Sequence, residues 1–312
     1  MKTAPSAVTA QLLVDAQAQL GECPLWCERE QALYWTDIDG CQLSRWRAAD
    51  GDVRMWTLPQ KLGSFALCDR SGWLLLGLAE GVALFELESG QIGPLLPVEA
   101  EVPHTRINDG RCDAQGRFVF GMFQHDTKGQ AVGGFHRVSA GAADSLQLER
   151  LPLPPAVVAN SIAFSPDGRR MYFCDSPTRQ IWCVDYPASG PLGTPQAFAR
   201  LADEDGVPDG SAVDAQGRLW TALWGAGCVV CFNAQGQELQ RVRVPATHTT
   251  CPAFGGAGFK QLFVSSARLG LAPEVLVREP AAGGVFMAAG GAAGWQGLPE
   301  RRFATCQTSA AG

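Results

Sequence analysis

Six stretches of this chain follow one plan, and that repeat is what most narrows the folds open to it. A polar residue opens a short apolar run, a turn follows, and after the turn comes a strand rich in aromatic and β-branched residues. The clearest copies are NDGRCDAQGRFVFGMF from Asn108, NSIAFSPDGRRMYFCD from Asn160 and DGSAVDAQGRLWTALW from Asp209. Weaker copies are ECPLWCEREQALYWTD from Glu22, SFALCDRSGWLLLGLA from Ser64 and TCPAFGGAGFKQLFVSS from Thr250. Gly116, Gly168 and Gly217 supply the backbone freedom that the three clearest turns need. The copies recur at roughly 40–53 residues, the spacing of four-stranded propeller blades. No long window carries a helical apolar stripe. The expected fold is all-β, a single six-bladed β-propeller over residues 1–312, with 1–12 and 300–312 as loose tails.

Closure of such a ring brings distant residues together. The innermost strand of every blade lines the central channel, so residues at one repeat position ring one end of it. In order these are Glu22, Ser64, Asn108, Asn160, Asp209 and Thr250, all polar. Glu22, Asn160 and Asp209 offer two carboxylates and an amide oxygen. Hard oxygen donors of this kind suit Ca²⁺, Mg²⁺ or Mn²⁺, and Zn²⁺ less well. Asn108 offers a further amide, while Ser64 and Thr250 read as small polar fillers. Arg106 stands two residues before Asn108, where its planar fork can hold a substrate oxygen. Asp109 is expected to fix the turn into Gly110. Asp126 lies where a loop can return over the same mouth, and His104 and His125 flank it.

Other chemistries find little support. The four histidines, His104, His125, His136 and His248, do not make an HExxH or i, i+4 zinc spacing. There is no GxSxG elbow and no GxxxxGK[ST] phosphate loop. The net charge of −6 argues against a nucleic-acid backbone as partner. No run of 18 apolar residues exists to span a membrane, and the first residues lack a secretory apolar segment, so a cytoplasmic protein is expected. Several of the 11 cysteines sit in apolar runs and read as small buried hydrophobes in a reducing compartment. Cys228 and Cys231 form a CxxC, but on a strand they face opposite sides. Propellers close their own sheet edges, so a monomer is expected.

LGECPLW, TRINDGRCDAQGRFVFG, ANSIAFSPDGRRMYFCDS, GVPDGSAVDAQGRLWTALW and the late FGG…LFVSSAR…GGVF together resemble the gluconolactonase/regucalcin (senescence marker protein) family. The similarity runs from about Leu13 to about Met287. The resemblance implies a six-bladed propeller with one divalent metal in its channel, and for bacterial members hydrolysis of a sugar lactone. It implies Glu22, Asn160 and Asp209 as ligands of an ion such as Ca²⁺, Mn²⁺, Mg²⁺, Zn²⁺ or Fe²⁺. It also implies that Arg106 and Asn108 hold sugar and lactone oxygens and that Asp209 is the general base. Where Asp126 stands the family commonly carries a glutamate, one methylene longer. Two alternatives use the same ring: a non-catalytic calcium-binding regulatory propeller, and a hydrolase of another ester class, which predicts a more apolar mouth.

Overall fold

In the computed structural model, residues 8–126, 129–142, 145–290 and 294–305 are described. Six sheets follow one another along the chain, each built outward from an innermost strand. Those innermost strands are β1 (Gly21–Cys27), β2 (Leu62–Leu67), β3 (Thr105–Cys112), β4 (Ala159–Phe164), β5 (Val207–Val213) and β6 (Thr249–Gly255). Each pairs antiparallel with the strand that follows it. Alternation inside each strand puts apolar side chains on both faces of a blade, and facing blades bury them. One apolar cluster fills each gap between consecutive blades. Tyr34 and Phe65 meet between the first and second, Val82 and Phe120 between the second and third, and Phe135 and Phe173 between the third and fourth. Tyr172 and Val230, Trp220 and Phe254, and Trp26 and Phe263 continue the series back to the first blade. The six-bladed propeller expected from the repeat is therefore present. Each fully buried side chain of this size contributes about 1.5–3 kcal/mol against exposure, so the inter-blade seams hold the ring together.

The ring closes with both ends of the chain. Gln11–Val14 forms the outermost strand of the sixth sheet, against Val285–Ala289. Val8–Thr9 adds in parallel to Glu238–Arg243 at the edge of the fifth. At the other end Phe303 is fully buried, Glu300 pairs with Arg111, and Thr305 bonds to Asp69. The loose tails expected over 1–12 and 300–312 thus reach too far inward: residues 8–12 pair along sheet edges, and 300–305 pack or bond against the blades. The remainder of those tails, 1–7 and 306–312, lies outside the described residues. Among the described residues there is one α-helix, Pro273–Arg278, and no helix is long and apolar enough to cross a membrane. The ten described cysteines are free, and all but Cys41 are buried.

Every innermost strand breaks register at the repeat position singled out by sequence. Pairing is interrupted between Glu22 and Leu25, Leu62 and Ser64, Ile107 and Gly110, Asn160 and Ala163, Pro208 and Ser211, and Thr249 and Pro252. An extra residue in one strand of a pair bends it and re-aims its side chains. Cys23 and Ser161, just after Glu22 and Asn160, take positive φ of 48° and 58°, a conformation uncommon outside glycine. The bulges are the local device that turns polar side chains toward the channel end.

Candidate active site

A cavity of about 760 Å³ opens at that end. Glu22, Arg106, Asn108, Asn160 and Asp209 all line it. Four blades therefore deliver five of the six expected site residues to one place. Asp126 is the exception: its neighbour His125 lines the cavity and it does not. The Asp126 backbone N–H donates to Gln124 Oε1 at 2.5 Å. Ser64 and Thr250, the expected fillers, are fully buried and tie adjacent innermost strands together, Ser64 Oγ to Gly110 O at 3.1 Å and Thr250 Oγ1 to Gly21 O at 2.5 Å.

A chain of hydrogen bonds crosses the third, fourth and fifth blades. Arg106 Nη1 donates to Asn108 Oδ1 at 2.8 Å and to Ile107 O at 2.9 Å. Asn108 Nδ2 donates to Asn160 Oδ1 at 2.9 Å and to Ala159 O at 3.0 Å. Asn160 Nδ2 donates to Ser176 Oγ at 2.9 Å, and Ser176 Oγ donates to Pro208 O at 2.7 Å, next to Asp209. Each amide is thus fixed in one orientation by its neighbours. The Arg106 guanidinium also lies over the Phe123 ring, 4.6 Å from its centroid.

The carboxylates are placed differently. Among the described residues Glu22 Oε2 accepts a single bond, from Cys23 N at 3.2 Å. Burial and then the nearby Asp109 raise its pKa to about 8. Burial and then Glu22 push Asp209 well above the ordinary carboxylate range. Burial lowers Arg106 to about 10, which leaves it cationic at neutral pH, while Asp39, Glu22 and Asp209 oppose that shift. A carboxylate held high in this way is a stronger base once it has lost its proton.

Two expectations need correction. Among the described residues no group of three or more His, Cys, Asp or Glu side chains is placed to hold a metal ion, which overturns the expected divalent cation on Glu22, Asn160 and Asp209. The physical reason lies in Asn160. Its Oδ1, the would-be third donor, accepts from Asn108, and its Nδ2 is anchored by Ser176, so the amide serves the hydrogen-bond chain. Residues and ion do not fit. The second correction concerns Asp109. Its Oδ2 accepts from Ile162 N at 2.8 Å, joining the third blade to the fourth, and its second backbone bond, from Gly110, lies inside the strand Thr105–Cys112 and not in a turn.

Several cavity residues carry no flag in the sequence. Leu20, Val158 and Val207 each stand two positions before a ring residue, as Arg106 does, and line the wall just above the ring. Phe123 pairs across the hairpin with Arg106, and Trp224 pairs with Val207. Once Asn108 and Asp209 are aligned, this offset of two is the signal that finds them. Lys61 and Asp39, an ion pair at 2.7 Å, line the cavity from the first two blades.

The family described as "SMP-30/Gluconolactonase/LRE-like region" matches residues 20–268. The chain is 50% identical over 280 residues to an L-arabinolactonase of Azospirillum brasilense, covering 89% of this chain and 91% of that one. It is 35% identical over 287 residues to a 6-deoxy-6-sulfogluconolactonase of Pseudomonas putida, covering 89% and 94%. Among solved structures, a calcium-binding protein, regucalcin, from Agrobacterium tumefaciens superposes with a TM-score of 0.87 at 28% identity, over 95% of this chain and 97% of that one.

Proposed function

The chain belongs to the SMP-30/gluconolactonase/LRE-like family, and from that premise we propose that it hydrolyses a sugar lactone to the open-chain aldonic acid, with Asp209 as general base. The observation that carries the reading is that Asp209, Glu22 and Arg106 share one cavity, two under-bonded acids beside one buried cation. The two relatives of highest identity described above are lactonases, which supports the same class and makes a pentonolactone the first substrate to test.

A lactone is a cyclic ester, and its carbonyl carbon is the electrophile. In the proposed step Asp209 takes a proton from water as the water oxygen bonds to that carbon. Negative charge collects on the carbonyl oxygen. Arg106 spends Nη1 on Ile107 and Asn108, and its other guanidinium N–H groups make no hydrogen bond among the described residues. Those groups stabilise the oxyanion. The bond from carbon to ring oxygen then breaks, and the ring oxygen takes a proton from the acid formed at Asp209. One water is consumed and no covalent enzyme intermediate forms. Asn108, locked by its neighbours, lines the cavity beside Arg106 and is the fixed polar group that orients a sugar hydroxyl.

The test is a pH-stat assay of L-arabinono-, D-galactono-, D-xylono- and D-glucono-lactone, with wild type and Asp209→Asn. Turnover of at least one lactone above the spontaneous rate, lost in the variant, is expected. No turnover of any lactone sinks the substrate class, and an Asp209→Asn protein as active as wild type sinks the base.

A further inference from the structure

Resting on that reading, we propose that Trp224 is the substrate-stacking platform of this cavity, receiving the C–H face of the sugar ring while the polar groups hold its other side. The inference comes from comparing two blades. Arg106↔Phe123 and Val207↔Trp224 are the same cross-strand pair, each beginning two residues before a ring residue, Asn108 or Asp209. Both aromatics line the cavity. Phe123 is covered by its own partner, since the Arg106 guanidinium lies over its ring. The partner of Trp224 is Val207, which carries no polar group to cover the indole.

The other surroundings of Trp224 fix its plane. His248, in the sixth blade, stacks on it with centroids 4.0 Å apart and planes 16° from parallel. His248 is itself held, Nδ1 to Leu269 O at 2.9 Å. Trp224 also packs against Leu20, Ile38 and Ala267. His248 does not line the cavity and Trp224 does, so the cavity meets indole surface that the imidazole leaves uncovered. A half-buried aromatic backed by a second ring is a rigid apolar surface, and the neighbouring wall of Leu20, Val207 and Leu269 is apolar as well. A sugar lactone offers the matching pattern, hydroxyls at its rim and C–H groups on its ring faces. The polar chain from Arg106 to Ser176 reads the rim, and Trp224 is placed to take a face. Such a contact acts on bound substrate and transition state alike, so it belongs in KM.

The experiment measures kcat and KM of Trp224→Phe, Trp224→Ala and His248→Ala on the lactone the wild-type enzyme turns over fastest. Loss of one aromatic contact predicts a rise in KM of about three- to tenfold for Trp224→Ala, with kcat within about twofold of wild type. Trp224→Phe keeps a ring and is expected to recover most of the loss, and His248→Ala, which leaves the indole unsupported, to fall between. An unchanged KM in folded Trp224→Ala overturns the proposal, as does a loss confined to kcat. If Trp224→Ala does not fold, Trp224→Phe and Trp224→Leu decide: equal KM values overturn it. Absence of lactone turnover by the wild type is a different result, and counts against the proposed function itself.

Discussion

This chain buries aspartates in two ways. Asp214, in the turn after the innermost strand of the fifth blade, is fully buried and fully used. It accepts from Gln216 N and Arg218 N at 3.0 Å, from Arg218 Nε at 2.6 Å and from Trp220 Nε1 at 2.9 Å. Asp113 repeats the pattern in the third blade, with Arg117 and the Tyr186 hydroxyl. Asp209 sits five residues before Asp214 on the same strand and turn. It is buried too, where it lines the cavity, yet among the described residues its carboxylate takes only a backbone bond from Gly210, and burial and then Glu22 drive its pKa up. A buried charge with a complete set of donors specifies a fold, whereas one left short of partners is a reservoir for chemistry.

The contrast breaks most sharply under parallel substitution. Asp209→Asn removes a charge the fold does not satisfy. Its expected effect is a loss of turnover of about 10²–10⁴-fold, the usual range for a general base, with no fall in Tm. Asp214→Ala leaves Arg218 and the Trp220 indole N–H without their acceptor. It is expected to cost about 3–5 kcal/mol of stability, while the protein that remains folded keeps wild-type kcat. Urea unfolding and initial rates on both variants check this. If Asp209→Asn unfolds and Asp214→Ala is merely slow, the two roles have been assigned backwards.

Arg106 sharpens the same contrast on the cationic side. Arg218 spends its charge on Asp214, but Arg106 forms no ion pair among the described residues and bonds only to a carbonyl and an amide. Arg106→Lys keeps the charge and loses the planar fork. A fall in kcat of about 10²-fold is expected, with Asp209 and the fold intact. Near-wild-type kcat in this variant would mean that Arg106 orders Asn108 and does not meet the reacting oxygen.

Much of this was legible in the chain, for a physical reason. The polar opening residue, the turn after the short apolar run and the aromatic strand recur because each blade solves the same packing problem, so counting them gives the ring. Ring position then brings Glu22, Asn108, Asn160 and Asp209 to one cavity, and Arg106 follows from standing two residues before Asn108. What the repeat could not carry is what a donor does once it arrives. Asn160 looks like a third oxygen for a cation until Asn108 and Ser176 are seen to hold both ends of its amide. Asp109 looks like a turn residue because its partner, Ile162 N, lies in the next blade. Trp224 is visible only as a strand aromatic, since its role depends on His248 from the sixth blade. Asp126 lies on a loop, and its placement over the mouth rests on the loop's return and on the family's glutamate, neither of which the repeat fixes. The strand Gln11–Val14 was missed because its partner lies at the far end of the sequence.

Glu99 is the intermediate case, and it gives the smallest effect. Its carboxylate is buried, and Oε1 accepts from Gly134 N at 2.7 Å and from His136 Nε2 at 3.0 Å. Burial pushes its pKa up, but the bonds from His136 and Gly134 outweigh burial, and the net shift is downward. A carboxyl lowered on folding contributes stability above its unfolded value of 4.5, and that contribution is lost as pH falls through the folded value. Glu99→Gln is therefore expected to be less stable than wild type at neutral pH, by about 1–2 kcal/mol for two charge-assisted bonds weakened to neutral ones. The gap should close as both proteins are taken below pH 4.5, with lactone turnover unaffected at neutral pH. Urea midpoints at neutral and acid pH measure it. A gap that widens on acidification would place Glu99 with Asp209, among the acids whose charge the fold resists, and not with Asp214.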